Sequence, residues 1–589
     1  MKHIKYILKT LFIISGILLL NSCNKYLDKN PLDSPSLDNF YSNATEANQG
    51  LTGVYNAISA EMAPTNKTPL YSKFDLFTEL GMERKPGYSW GDLGTGTYLS
   101  NNGAVAAIWS DFYVAVSRAN SFIYGVQKAK SKLAAKDYDR MVAEAKVVRA
   151  FAYWHLITFY GDVPFYTEPL AGDQINSIKR TSKATIINFL ISDLSDAAKK
   201  LDWLPTQTGR VSKGVAMGLS ARLAMLSKNY QVVANVTDSI ITQGPYSLNP
   251  QYKNLFRKAG QIANVGNEIM WVYPYGDSDP GSYSYLYLVQ GSRAQDGQTS
   301  QAPSQFLVDL FECKDGLTID KSPLYNPAQP NQNRDPRMKQ SVIIPGDTSL
   351  ANINLVYHLG YYTYKYDVTT KKITLSTTLN QDSSSYGVYG ARQMMNGNLW
   401  RKYSQDRDLN GSMAGSGDKV GWIFMRYAEI LLMNAEAYVE LGNLSKAAVS
   451  INKVRARAGM PATTSNNAAE LRRVVRREKM VELANEGLHL ADMRRWDDGA
   501  YANKVMNGIL YGESTSSMIL VANKGLQFTN PAPAPLFDAT LGVPVDWTNG
   551  AAKRLYREQR FFILPKHLAY PIPQGEIDKN HNLTQNTGY

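Results

Sequence analysis

The chain has 589 residues, of which 44% are hydrophobic and 19% are charged. A chain of this length and apolar content can bury a sizeable core without disulfides, which excludes a disordered protein. No long apolar run follows the first twenty residues, so the sequence also excludes a multi-pass membrane protein. The net charge is +12, but the lysines and arginines are scattered among acids, unlike the clustered basic surface of a nucleic-acid-binding protein.

The N-terminal segment has the pattern of a secretion signal. Three lysines precede the apolar stretch 10–20, which is about half the length of a membrane-spanning helix. The stretch ends in Leu20-Asn21-Ser22-Cys23, a sequence that resembles the cleavage site of bacterial lipoproteins. We therefore expect residues 1–22 to be a lipoprotein signal peptide and Cys23 to carry the lipid anchor. An ordinary secretion signal followed by an incidental cysteine is the alternative.

Removal of this segment changes the charge and the cysteine count. It leaves 60 basic and 51 acidic residues, a net charge of +9. The chain has two cysteines, so a lipidated Cys23 leaves Cys313 without an intramolecular partner. Because Cys313 follows the apolar run 306–311, we predict that it is buried and that the chain has no disulfide.

Apolar residues recur at three- and four-residue spacing along much of the chain, which predicts amphipathic helices. Glycine and proline then end some of these stretches, as Gly161 and Pro164 do. In chain order the predicted helices are 107–130, 139–160, 186–201, 213–227, 230–242, 422–441, 445–458 and 468–486.

Two of these helix pairs resemble tetratricopeptide repeats. In residues 432–442, LMNAEAYVELG, small alanines lie where helices cross closely, and Gly442 and Asn443 form the turn. Residues 216–234 repeat this arrangement around Lys228-Asn229-Tyr230. Because one such pair cannot bury its own apolar face, repeats stack side by side. The sequence therefore predicts a mainly α-helical scaffold of tetratricopeptide-like repeats, with generic helical hairpins as the alternative.

Residues 61–104 and 274–420 differ in composition from the helical stretches. They are rich in Gly, Ser, Asn, Pro and Tyr and contain only short strand-like runs. Their aromatic content disfavours disorder, and long irregular segments of ordered proteins are commonly functional. We therefore predict long ordered loops and a few short strands, carried by the helical scaffold.

The sequence lacks the motifs of common catalytic and metal sites. The histidines after residue 23 do not have metal-pair spacing, and there is no G-x-S-x-G elbow and no Walker A loop. Glu79, Glu83 and Asp92 are candidates for paired carboxylates in glycan cleavage, but solvated surface charge is the favoured interpretation. We therefore predict no enzymatic activity, no metal and no cofactor.

An arginine-rich stretch, RRVVRRE at 472–478, is the densest basic run. Its arginines interleave with Glu478, Glu482 and Glu486 at helical spacing. This spacing favours ion pairs along and between helices, with binding of a polyanion as the alternative.

Several short motifs follow one another along the chain. They are WSDFY at 109–113, RAFAY at 149–153, YGDVP at 160–164, RYAEI at 426–430, INKVR at 451–455, DMRRW at 492–496 and PIPQGEI at 571–577. Each is weak alone, but the ordered set resembles the SusD/RagB-like family of surface lipoproteins, which capture glycans or other nutrients for a TonB-dependent transporter. His489 stands where an Arg is common in that family, and Thr587 where a Pro is common.

The resemblance covers nearly the whole chain and implies its organisation and role. After the signal peptide, it implies an N-terminal SusD-like region at 23–270 and a C-terminal SusD/RagB-like region at 271–589. It implies a protein anchored in the cell outer membrane by its lipid, facing the exterior, that passes a glycan to a SusC-like TonB-dependent transporter. In this family the helical repeats face the transporter and the irregular loops face the ligand. A binder of a non-glycan nutrient such as a peptide, and a glycan-cleaving enzyme, are the alternatives.

The ligand loops of the family lie before the WSDFY helix and after a strand such as residues 267–271. In this chain those loops contain Arg84, Tyr88, Trp90, Tyr98, Asn101, Tyr283, Tyr285 and Tyr287. Sugar rings stack their C–H faces on aromatic rings and need polar partners for their hydroxyls. We therefore expect Trp90 to be the stacking platform, and Arg84 and Asn101 to bind hydroxyls or a carboxylate. Alternation predicts that the three later tyrosines share one strand face, as a binding platform or as a core face.

Overall fold

The structure is a computed structural model that describes residues 40–59, 61–63, 66–83, 89–275, 284–295, 297–348, 354–383, 397–404, 419–508, 511–513, 518–521, 525–528, 534–546 and 555–589. Its α-helices are α1 (Ala44–Asn56), α2 (Ser89–Thr95), α3 (Gly103–Gly125), α4 (Ala135–Tyr160), α5 (Gly172–Ile175), α6 (Lys183–Ala198), α7 (Lys213–Leu226), α8 (Tyr230–Gln243), α9 (Lys258–Ala263), α10 (Leu286–Gln290), α11 (Gln305–Leu310), α12 (Pro336–Ser341), α13 (Tyr427–Glu440), α14 (Leu444–Ala458), α15 (Ala468–Leu483), α16 (His489–Arg495), α17 (Ala500–Gly508) and α18 (Gln574–Lys579). Short 3₁₀ helices occupy Leu70–Phe77, Val126–Lys132, Tyr252–Phe256, Val265–Asn267, Arg293–Gln295, Trp496–Gly499 and Lys566–Leu568.

Asparagine and serine side chains fix the starts of six of the longer helices. The side chain of Asn102 accepts hydrogen bonds from the backbone N–H groups of Ala104 and Val105 at the start of α3. In the same way, α6, α7, α8, α14 and α15 are capped by Ser182, Ser212, Asn229, Asn443 and Asn467. Such caps satisfy backbone donors that have no partner inside the helix. Two of these capped helices, α3 and α6, begin a few residues before the apolar periodicity that predicted them.

The predicted helix pairs are present and stack on one another, as expected for tetratricopeptide-like repeats. α3 packs on α4, α6 on α7, α7 on α8, α8 on α13 and α13 on α14. Between α8 and α13, the side-chain amide of Asn434 donates to Thr237 Oγ1 at 3.0 Å and to Asp238 Oδ1 at 2.8 Å. Ser450 of α14 donates to the amide oxygen of Asn434 at 2.7 Å, so one buried residue joins three helices. The prediction of a mainly α-helical repeat scaffold is confirmed.

The strands are short and pair antiparallel. They are β1 (Glu61–Ala63), β2 (Asn66–Pro69), β3 (Gly81–Glu83), β4 (Val163–Pro164), β5 (Arg180–Thr181), β6 (Ile269–Tyr273), β7 (Gln301–Pro303), β8 (Val342–Ile343), β9 (Leu355–Val356), β10 (Tyr362–Tyr366), β11 (Ile373–Leu379), β12 (Leu399–Trp400), β13 (Trp422–Arg426), β14 (Tyr511–Glu513), β15 (Met518–Val521), β16 (Gly525–Phe528), β17 (Leu536–Phe537), β18 (Pro544–Asp546) and β19 (Leu555–Glu558). In the described part of the chain they form two-stranded ladders and one three-stranded sheet in the order β11–β10–β9.

The helix predicted at 422–441 is wrong in its first turn. Residues Trp422–Arg426 form strand β13, and α13 begins only at Tyr427. All five side chains of β13 are buried, and Trp422 pairs with Tyr273 of β6. A short apolar run that is buried on both faces has neither helical nor strand periodicity, so its sequence pattern does not separate the two structures.

Strand β6 also joins the two sequence regions. The predicted boundary after residue 270 falls within this strand, whose partner β13 belongs to the C-terminal region. Buried apolar residues from Tyr41 to Leu583 form one continuous cluster. Cys313 is buried, as predicted. Within the described ranges, no helix combines the length and the apolar character that crossing a membrane requires.

Gly96 holds the loop between α2 and α3 against the C-terminal segment. Its φ is +79°, and a Cβ at this position would overlap the carbonyl oxygen of Phe561. We expect Gly96→Ala to lower the free energy of unfolding by about 2–3 kcal/mol, from backbone strain and overpacking. Urea unfolding measures the loss, and Gly103→Ala is the control because a Cβ at Gly103 meets only open space. Equal effects of the two substitutions would contradict the close approach.

Candidate ligand-binding site

Part of the predicted site lies outside the described residues. This holds for Arg84 and Tyr88 in segment 84–88, and for Tyr283 in segment 276–283. It also holds for the signal peptide 1–22 and for Cys23. The described members of the predicted set are Trp90, Tyr98, Asn101, Tyr285 and Tyr287, and the structure places them in four different surroundings.

Trp90 lies in α2 and is half-buried. Its indole ring stacks on Phe77, with 6.3 Å between ring centroids and an angle of 6° between the ring planes. Phe77 belongs to the 3₁₀ helix Leu70–Phe77, whose side chains are buried. One face of the indole is therefore fixed by the core, and a sugar ring can stack only on the opposite face.

Tyr98 lies in the core. It is 3% exposed, meets Tyr570 edge to face at 4.9 Å between ring centroids, and stacks with Tyr589 at 5.9 Å. Burial raises the pKa of the Tyr98 hydroxyl well above its ordinary value. A ligand could reach this ring only if the C-terminal segment moved away. The structure therefore assigns Tyr98 to core packing and not to ligand binding.

Asn101 lies in the turn before α3 and is exposed. The carbonyl of its neighbour Ser100 accepts a hydrogen bond from the N–H of Gln574 at 2.9 Å. Asn101 therefore lies beside the start of α18, whereas Trp90 lies beside the 3₁₀ helix that carries Phe77.

The strand expected for residues 283–287 is wrong. Residues Leu286–Gln290 form the short helix α10, and the hydroxyl oxygen of Ser284 accepts a hydrogen bond from the N–H of Leu286 at 3.1 Å where it begins. A helical turn removes the alternation of faces on which the prediction depended. Tyr287 is 3% exposed, whereas Tyr285, just before the helix, is half-buried. Of these two tyrosines, Tyr285 is the one more open to solvent.

The two predicted loops leave the scaffold from adjacent elements. Strand β3 ends at Glu83, immediately before segment 84–88, and Glu83 pairs with Gln301 of β7. Helix α10, which follows segment 276–283, also packs on β7. There the side-chain amide of Gln290 donates to Gln301 Oε1 at 3.3 Å. Strand β7 is therefore the common support of two loops that are far apart in sequence.

A tyrosine pair that the sequence did not indicate belongs to a segment joined to the end of α10, the helix that packs on β7. Asp382 accepts hydrogen bonds from Ser292 Oγ at 2.5 Å and from the N–H of Arg293 at 2.8 Å, just after α10. Asp382 follows the sheet β11–β10–β9, and at the start of β10 Tyr361 is 50% exposed and Tyr362 44% exposed. Their ring centroids are 4.8 Å apart. The tyrosine-rich composition of this loop region was the only sequence signal for the pair.

The candidate carboxylates Glu79, Glu83 and Asp92 are not solvated surface charges. Glu79 is fully buried and accepts a hydrogen bond from the Tyr501 hydroxyl at 2.6 Å, with His489 Nε2 at 2.8 Å. Although burial opposes it, these partners hold the pKa of Glu79 below its ordinary value. Glu83 forms an ion pair of 2.6 Å with Lys73, and Asp92 is half-buried in α2. A lowered pKa is the opposite of what a general acid for glycan cleavage needs.

A cavity of about 600 Å³ is a further feature that the sequence analysis missed. It lies between the turn after α14, the start of α15 and segments 312–321 and 537–542. Its polar and aromatic lining includes Thr463, Thr464, Ser465, Asn466, Asn467 and Phe537. Hydroxyl and amide groups beside an aromatic ring suit a small polar ligand. The polar run at 463–467 was its only sequence signal.

The structure is therefore that of a helical-repeat protein in which aromatic side chains next to the loops are partly open to solvent. Residues 259–589, more than half of the chain, match the SusD family. Residues 25–230 match a family described as starch-binding and associating with the outer membrane. The chain therefore belongs to the SusD family, and the resemblance predicted from its ordered motifs is confirmed.

Relatives and solved structures agree with this membership. SusD-like protein P38 of Formosa agariphila is 24% identical over 539 residues, which cover 86% of this chain and 95% of P38. SusD-like protein P25 of the same organism is 27% identical over 291 residues, 47% of this chain and 52% of P25, so the match spans about half of that relative. A SusD-like carbohydrate-binding protein of Bacteroides fragilis has a TM-score of 0.73 at 23% identity, over 92% of this chain and 100% of that chain. This last likeness shows the fold.

Proposed function

We propose that this protein binds an oligosaccharide or polysaccharide at its loops and delivers it to a TonB-dependent transporter of the outer membrane. The match to a family described as starch-binding and associating with the outer membrane carries the proposal. A structural relative named as a carbohydrate-binding protein supports it. The loops supply the aromatic rings and polar groups that sugar recognition requires.

Trp90 is the proposed stacking platform. Because Phe77 already fixes the plane of the indole ring, binding of a sugar to the open face costs little side-chain entropy. Tyr285 and the Tyr361–Tyr362 pair offer further rings around the support formed by β7. Arg84, Tyr88, Asn101 and Tyr283 complete the proposed set of ligand residues. A protein that binds and then releases its ligand in this way needs no bond-making step.

The proposed anchor and partner follow from the family. A lipidated Cys23 holds the chain at the outer membrane, facing the exterior, because two or more acyl chains give a stable anchor. The helical repeats then contact the SusC-like transporter, and the loops face the ligand. The energy for import belongs to the transporter system and not to this chain.

Titration of the soluble chain from residue 24 onward against a panel of neutral and acidic polysaccharides tests the proposal. The parent is compared with Trp90→Ala and with Trp203→Ala. Trp203 is the matched control because it is also half-buried but packs against Tyr246 of the helical scaffold. We expect Trp90→Ala to weaken binding by at least about tenfold, as loss of an aromatic anchor does, and Trp203→Ala to bind like the parent.

The other outcomes separate the alternatives. Equal binding by the parent and by Trp90→Ala would support a glycan ligand but not a site at Trp90. The site would then be sought at Tyr285, at the Tyr361–Tyr362 pair or in the 600 Å³ cavity. If the parent bound no glycan, the glycan proposal would fall, and a non-glycan nutrient such as a peptide would become the favoured ligand.

A further inference from the structure

A second cavity, of about 200 Å³, lies at the end of α4, and its lining contains none of the residues proposed to bind glycan. The start of α6, the end of α7 and helix α16 form its other walls. Its charged lining consists of Lys183, Lys228, Arg494, Arg495 and Asp498. Four cations therefore face a single acid in a space that admits a small molecule.

Two of these cations are already paired. Lys228 forms an ion pair with Asp498. Arg495 donates to both carboxylate oxygens of Glu436, at 2.7 and 2.6 Å, and is also paired with Asp492. These charges are compensated within the fold, which leaves Lys183 and Arg494.

Arg494 has neutral partners only. It is 8% exposed, and its Nη1 donates to the carbonyl oxygens of Thr158 at 2.9 Å and Phe159 at 3.3 Å. Its guanidinium lies over the ring of Tyr570 at 4.3 Å. The Nε–H has no hydrogen-bond partner among the described residues. Carbonyl groups and a π face attract a cation but do not neutralise its charge, so Arg494 keeps a positive potential at this cavity.

Lys183 is the second of these two cations. It is the first residue of α6, and its backbone N–H donates to Asp162 Oδ1 at 2.7 Å. Its side-chain ammonium forms no ion pair in the described part of the chain. Burial and repulsion from Arg494 lower the pKa of Lys183 to about 8, against a smaller opposing effect of Asp162. The N-terminal end of the 16-residue helix α6 adds further positive potential at the same place.

We propose that this cavity binds one anionic group, a carboxylate or a sulfate- or phosphate-type oxyanion, with Lys183 as its principal ligand and Arg494 as a fixed second cation. The anion would replace the repulsion between the two cations by two charge-assisted contacts. The volume admits a small organic acid as well as an inorganic ion. The proposal is independent of the glycan loops, because the two sets of residues are different.

Thermal unfolding and calorimetric titration of the chain from residue 24 onward test this site. The probes are sulfate, phosphate and glucuronate near neutral pH, at an ionic strength matched with chloride, and glucose is the uncharged control. Binding to the folded state raises the Tm. Lys183→Met removes the principal ligand and Lys183→Arg keeps its charge. Lys199→Met, at an exposed lysine of the helix C-terminus that pairs with Asp196, is the matched control.

We expect at least one of the three anions to bind the parent, and Lys183→Met to bind it at least about tenfold more weakly. Lys183→Arg and Lys199→Met should bind like the parent, and glucose should not bind in the millimolar range. Preference for glucuronate would identify an acidic saccharide, and preference for sulfate or phosphate an oxyanion. Absence of anion binding by the parent, or equal binding by a folded Lys183→Met variant, would overturn the proposal.

Discussion

Arg426→Met is expected to lower the free energy of unfolding by about 3–5 kcal/mol, because it removes the central cation of a buried ionic network. Arg426 ends β13 and is 1% exposed. It donates to the carboxylates of Glu482 at 2.6 Å, Glu486 at 2.7 Å and Glu268 at 3.0 Å. All three acids are buried. The substitution therefore removes one of their cations, and water cannot take its place.

Neighbouring cations do not replace Arg426. Arg457 is already paired with Glu268 and Glu482, and Lys402 donates to Glu486 at 2.8 Å. Although burial opposes it, these arginines hold the pKa of Glu482 well below its ordinary value. Without Arg426 that pKa rises, and the protein loses the stabilisation that the lowered pKa represents.

Arg472→Met is the control for this prediction. Arg472 lies on α15 and donates to the two carboxylate oxygens of Glu440 at 2.6 and 2.9 Å. Its side chain is 33% exposed, so we expect a loss of about 1 kcal/mol or less. Urea unfolding of both variants at an unchanged m-value measures the two losses. Equal losses would mean that the buried network stabilises the fold no more than a surface pair does.

The sequence predicted that the stretch 472–478 forms ion pairs, but it did not identify the residues on the other side of each pair. The prediction of ion pairs for the stretch 472–478 is confirmed, since Arg472, Arg476 and Glu478 pair with Glu440, Asp497 and Arg337. Helical spacing shows which residues share a helix face, but it does not show which distant segment packs there. Arg337 comes from the region 274–420, for which the sequence predicted loops and a few short strands but no helix.

Elements whose pattern is decided locally were predicted, whereas elements that depend on a distant segment were not. Long helices such as α4 and α15 have a periodicity that is decided locally, so their bounds were predicted to within a few residues. Strand β13 and helix α10 are five residues long and depend on the neighbours β6 and β7. A local pattern of five residues does not contain that information.

The sequence indicated which loops are proposed to bind the ligand, but it did not indicate how their individual aromatic rings pack. The order of the motifs indicated the loops, and β7 joins the described elements from which they start. Exposure of each ring depends on long-range packing: Tyr98 is buried by the C-terminal residues, whereas Trp90 is half-buried on Phe77. Composition alone does not distinguish an aromatic ring that faces a ligand from one that fills the core.

His489→Arg is expected to remove a loss of stability that the parent shows above about pH 6.5. Nε2 of His489 lies 2.8 Å from Glu79 Oε1, and both side chains are buried. Although burial opposes it, Glu79 raises the pKa of His489 above its ordinary value of 6.5, and Asp492 and Asp75 add to the effect. An arginine at this position stays protonated over the whole range.

A raised pKa of His489 gives a stabilisation that is fully present below about pH 6.5 and is lost as the pH rises through the folded-state value. A lowered pKa of Glu79 gives a stabilisation that is present above about pH 4.5 and is lost as the pH falls through its folded-state value. The pair therefore stabilises the parent most between these two limits. With Arg at position 489, only the loss at the acidic limit remains.

Urea unfolding between about pH 5 and pH 9 measures the difference in stability between His489→Arg and the parent. We expect this difference to be nearly constant below pH 6.5 and then to grow in favour of the variant, by about 1.4 kcal/mol for each unit by which the pKa of His489 is raised. Groups that titrate alike in both proteins cancel in the difference. His581→Arg, at an exposed histidine, is the control and should show no such trend. A difference that stays constant to pH 9 would mean that His489 is not a cation in the folded protein, because only loss of its charge makes arginine the better partner as the pH rises.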